Sequence, residues 1–84
     1  MPIAKGPPET GLRVTLDRTS TAPLVYEGTL ETPTRAFAIR VEGDAVVGCE
    51  PDLAEKVRLI VRAALRHADA DGRPAPPRIT RWRP

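Results

Sequence analysis

The sequence predicts an α+β fold of two layers: an antiparallel four-stranded β-meander packed by one long helix in the C-terminal half, followed by a short C-terminal strand or extended arm. Three observations carry that expectation. Apolar and polar residues alternate in three segments between Leu12 and Glu42, the period of half-buried strands. From Leu53 to Ala68 the apolar spacing becomes that of an amphipathic helix. Turn-forming residues fall between these segments, where hairpins need them.

Residues 1–10 contain Pro2, Pro7 and Pro8 and no hydrophobic periodicity, and read as a flexible N-terminal arm. Leu12, Val14 and Leu16 then alternate with Arg13, Thr15 and Asp17, and the turn-prone run 19–23 is expected to end this strand. Leu24, Tyr26 and Leu30 alternate with Val25, Glu27, Thr29 and Glu31. After a turn around Thr32-Pro33, Phe37, Ile39 and Val41 alternate with Ala36, Ala38, Arg40 and Glu42. Gly43-Asp44 reads as a two-residue hairpin leading into a short strand over 45–49.

The two hairpins constrain each other. A tight turn at Gly43-Asp44 sets Val41 opposite Val46 and Ile39 opposite Gly48. An even-length loop at Thr32-Pro33 sets Phe37 opposite Gly28, Ile39 opposite Tyr26 and Val41 opposite Leu24, with the Phe37 ring over the bare glycine. Paired residues share a face, so Leu24, Tyr26, Leu30, Phe37, Ile39, Val41 and Val46 fall on one side.

Pro51 suits the first turn of a helix, because its fixed φ and missing N–H cost nothing there. Glu50, Asp52 and Glu55 at the start, with Arg66 and His67 near the end, complement the helix dipole. Leu53, Val57, Ile60, Val61, Ala64, Leu65 and Ala68 form the stripe for the sheet, and Gly72 and Pro74 stop the helix. A single α+β domain over 11–71 follows. The Pro-rich connector and basic C-terminal strand or arm occupy 72–84, with 79–82 as the extended part.

Charge divides the chain. Residues 1–55 hold five basic and nine acidic side chains, a net of −4, and residues 56–84 hold eight basic and two acidic, a net of +6. Such asymmetry points to an interaction surface. Eleven arginines against two lysines, beside eleven alanines, fit a GC-rich coding bias, so arginine abundance is weak evidence for nucleic-acid binding.

Arg58, Arg62 and Arg66 lie four residues apart along the solvent side of the helix. With Arg78, Arg81 and Arg83 around Trp82, they could track phosphates while the ring stacks on a base. The plainer reading is a solvated face with Glu55–Arg58 and Arg66–Asp69 pairs. Leu59, on the same polar side, is a candidate anchor for a partner. The outer face of the sheet, which a single helix leaves uncovered, offers Val25, Ala38, Val47 and Cys49 as a candidate dimer face.

Catalytic and metal chemistry find no motif. One cysteine rules out an internal disulfide. The sole histidine, His67, lies roughly 24 Å along a straight helix from Cys49, too far for a dyad or a shared zinc ion. The carboxylates Glu27, Glu31 and Glu42 share a flat sheet face without a cleft to perturb them. Residues 1–6 lack the apolar run of a signal peptide, and no stretch approaches a membrane span. The chain therefore reads as a small cytoplasmic, non-catalytic binding or accessory module with no cofactor and no membrane association. Its partner is an unknown protein or a second copy, and the alternative is a nucleic-acid-binding protein using the arginine ridge and the tail around Trp82.

Overall fold

The computed structural model describes residues 11–83; the N-terminal arm expected over 1–10 and the last residue lie outside them. The elements run β1 (Leu12–Thr21), β2 (Leu24–Glu31), β3 (Ala36–Glu42), β4 (Ala45–Val47), α1 (Pro51–Ala70) and β5 (Arg78–Arg83). All five strands form one antiparallel sheet in the order β4-β3-β2-β1-β5. The meander is present, and the C-terminal segment, which pattern alone left as strand or arm, pairs with β1 from Leu12↔Arg83 to Asp17↔Arg78.

The β2–β3 register differs from the expected one by two residues. Leu30 lies opposite Phe37, Gly28 opposite Ile39 and Tyr26 opposite Val41. The loop uses four residues, closed by the Thr32 N–H donating to the Arg35 carbonyl at 2.8 Å and the Arg35 N–H to the Thr32 hydroxyl at 3.1 Å. A slip of two preserves the face of every side chain, so the inward set survives. Tyr26, Leu30, Ile39 and Val41 are buried, with Leu24, Phe37 and Val46 partly so. Phe37 does not cover Gly28. Gly28 abuts β1 instead, where a Cβ would lie 1.9 Å from the Thr15 carbonyl oxygen.

β1 is also longer than expected. It continues through 19–21 beside β2 after a bulge between Arg18 and Ser20. At the other side, Val41↔Val46 is as expected, but the strand stops at Val47. Gly48 (φ 104) lies against β3, and a Cβ there would sit 2.2 Å from the Ala38 carbonyl oxygen.

The helix begins at Pro51 and ends in paired main-chain bonds. Gly72 N–H donates to Asp69 at 3.0 Å and Arg73 N–H to Ala68 at 2.8 Å, which satisfies carbonyls that a helix end leaves free. Val57, Ile60, Val61 and Ala64 join Leu12, Val14, Leu16, Tyr26, Leu30, Ile39, Val41 and Ile79 in one core. The proline-rich connector is tied to the sheet at three points. The Tyr26 hydroxyl donates to the Pro76 carbonyl at 2.6 Å, Arg18 N–H to Pro77 at 2.9 Å, and the Arg18 guanidinium to Ala75. Burial raises the Tyr26 pKa above its ordinary value, with Arg18 opposing the shift.

Candidate functional site

The side chains of β5 divide between two surfaces. Ile79 is buried in the core, so strand alternation puts Arg81 and Arg83 on the helix side of the sheet and Arg78, Thr80 and Trp82 on the outer side. The six guanidinium groups considered for phosphate contact are therefore dispersed. Arg58 pairs with Glu55, a hydrogen bond that lowers the Glu55 pKa and raises that of Arg58. It lines a shallow depression with Asp44 and Val46, on the β4 side of the helix. Arg78 pairs with Asp17 at 2.7 Å on the outer sheet face. Arg62 is exposed, and exposed Arg66 lies farther along the helix, beside Ala63, His67 and Ala70.

The candidate dimer face is only half available. Ala38 and Val47 are exposed, but Val25 is 3% exposed and Cys49 packs against the core. Val25 lies opposite Ser20, just past the bulge in β1. Cys49 turns inward because the chain leaves the sheet at Gly48 to begin the helix. Burial first, and the neighbouring Glu50 charge second, raise its thiol pKa, so the thiolate is disfavoured. Much of the remaining outer face consists of exposed or part-buried ion pairs: Arg13–Glu31 at 2.8 Å, Arg40–Glu27 at 3.4 Å and Arg40–Glu42 at 3.1 Å.

The best-formed concavity lies elsewhere. A groove of about 380 Å³ opens between the N-terminal half of α1 and the β1/β5 end of the sheet. Leu12, Leu53 and Ile60 give it an apolar floor, Leu59 stands on its rim, and Lys56 and Arg83 flank it, with Gly11 and Thr32 completing the wall. Leu59 is 54% exposed. No ion pair within the described residues involves Lys56, Arg81 or Arg83. The guanidinium of Arg81 donates to the Thr80 carbonyl at 2.7 Å, and that of Arg83 to the Trp82 carbonyl at 3.4 Å. Such a site can hold an aliphatic group and a carboxylate together.

Of the residues singled out from sequence, the structure brings Leu59 and Arg83 into this groove and leaves Arg58, Arg62, Arg66, Arg78, Arg81 and Trp82 outside its lining. Lys56 was missed because it sits at the margin of the apolar stripe. Leu12, Leu53 and Ile60 were read only as core. Among the described residues, no three His, Cys, Asp or Glu side chains are placed to share a metal ion, and no helix is long and apolar enough to cross a membrane.

No family matches. The chain matched no family model, no curated protein and no solved structure.

Proposed function

We propose that the protein is a small non-catalytic binding module that docks an acidic protein partner at the groove between α1 and the β1/β5 end. The observation that carries this reading is an apolar floor bordered by two cations, Lys56 and Arg83, that meet no carboxylate within the described residues. An exposed leucine beside such a floor gives a partner's aliphatic side chain something to bury, and the cations favour its acidic neighbours. The dispersal of the arginines argues against a phosphate track. The only tryptophan lies on the opposite sheet face from Arg81 and Arg83, and Arg58 and Arg78 already have carboxylates.

A photo-crosslinking residue at position 59, introduced into the full chain in cells, tests the reading. The expected product is one protein adduct that survives nuclease treatment and disappears in Lys56→Glu. Anisotropy against mixed-sequence DNA and RNA is expected to show no binding tighter than about 1 μM at physiological salt, the limit of ordinary non-specific attraction. An adduct that nuclease removes, or tight salt-sensitive nucleic-acid binding, overturns it.

A further inference from the structure

β5 is the outermost strand on its side of the sheet, paired over all six residues with β1. Every second residue of such a strand turns its N–H and C=O away from the paired neighbour, so β5 presents an edge about 20 Å long that no other strand of the described residues pairs with. The Thr80 and Trp82 carbonyls of β5 accept from the Arg81 and Arg83 guanidinium groups, which a carboxylate would draw away. We propose that this edge accepts an extended acidic segment of the partner as a sixth strand. Carboxylates stand opposite Arg81 and Arg83, and an apolar side chain stands between them, opposite Trp82. The inference rests on the reading above and specifies how the partner binds.

Three observations select this occupant. Arg81 and Arg83 share one face of β5 and donate to carbonyls of their own strand rather than to carboxylates, whereas Arg78 on the other face is engaged by Asp17. Directly opposed side chains share a face, so acids two residues apart on an added strand meet Arg81 and Arg83. Trp82, 53% exposed between them on the outer face, meets the intervening residue. The groove begins at Arg83 on the helix side, so the residue two positions beyond the acid opposite Arg83, on the same face, is the one directed toward it. A second copy of β5 suits the edge poorly. Its six residues include no acid to meet Arg81 and Arg83, so self-pairing would add positive charge without neutralising any. Charged edge strands guard against such self-pairing, while strand addition by a complementary peptide is an established mode of recognition.

The probe is a synthetic peptide of repeating Asp-Val-Asp-Leu, compared with a shuffled peptide in which the acids are adjacent. The alternating peptide is expected to bind the full-length protein at least tenfold more tightly, to shift Trp82 fluorescence and to slow amide exchange in β5. N-methylation of alternate peptide residues separates strand addition from charge attraction: one alternation abolishes binding and the other is tolerated. Arg81→Glu/Arg83→Glu weakens binding at least tenfold, and a Lys-Val-Lys-Leu peptide restores it, which shows that the variant is folded. Equal binding of both methylated series, or unchanged exchange in β5, overturns strand addition. If Leu59→Asp still abolishes peptide binding in that case, the groove reading stands without it. Protection of β5 in a dimer without peptide assigns the edge to a second copy and overturns the proposal.

Discussion

At one edge of the sheet β4 offers three residues and stops at Val47, whereas at the other β5 offers six and carries Arg81 and Arg83, which meet no carboxylate among the described residues. A short edge strand leaves little template for another chain. The helix begins soon after β4, and Asp44, Val46 and Arg58 line one shallow depression beside it. β5 is long but firmly attached, because Ile79 is 1% exposed and the preceding connector is bonded to Tyr26 and Arg18. The contrast shows that an outermost strand can be firmly held, through its inward residue and the segment that precedes it. Shortness limits one edge, and the other carries charge.

The comparison breaks most readily at Ile79. Ile79→Ala is expected to cost about 2–5 kcal/mol, the range for emptying a buried aliphatic site, whereas Val47→Ala, at a position 57% exposed, should change stability by less than about 0.5 kcal/mol. Chemical denaturation of the two variants checks the difference, and similar midpoints would mean that β5 is not anchored through the core. Gly48→Ala attacks the other edge. The added methyl meets the Ala38 carbonyl and a φ of 104, so a loss of at least about 2 kcal/mol is expected, read as a lower melting temperature.

Tyr26→Phe sharpens the comparison at the connector. Loss of the hydrogen bond to Pro76 should cost about 1 kcal/mol. In the wild type the folded phenol keeps its proton to higher pH than the unfolded one. That contribution is complete below the ordinary value of 10.0 and is lost as pH rises from there through the folded value. Denaturation across this range should therefore show a steeper alkaline fall for wild type than for Tyr26→Phe. Asp17→Asn, which removes an exposed ion pair with Arg78, should cost only about 0–1 kcal/mol and leave β5 paired in amide-exchange measurements. The smallest structural effect is expected at Cys49. Its raised pKa predicts slower alkylation at neutral pH than a free cysteine in solution, and Glu50→Gln should quicken the reaction by removing a repelling charge.

The sheet's inner face was legible because strand parity survives an error in loop length. Phe37 was set opposite Gly28 instead of Leu30, yet it still faces inward. The loop length was not legible. Thr32 binds Arg35 through both its main chain and its hydroxyl, and the apolar pattern carries no trace of those bonds. The helix was fully legible, with Pro51, the apolar stripe and Gly72 all agreeing. Pairing of β5 with β1 was not, because 78–83 contains one buried residue and no alternation that names a neighbour. Val25 misled for a related reason: it is buried opposite Ser20, just past a bulge in β1, and bulges leave no periodic signal. The groove went unread because it combines residues from β1, β5 and α1, and only the strand order brings those elements together.

Leu12 lies directly opposite Arg83, which has a practical consequence for engineering the molecule. An affinity handle or fluorophore inserted at the exposed Gly43-Asp44 turn would sit at the β3–β4 end of the sheet, away from the groove that this pair lines. An attachment near Gly11 or Arg83 would instead crowd the groove that both residues line.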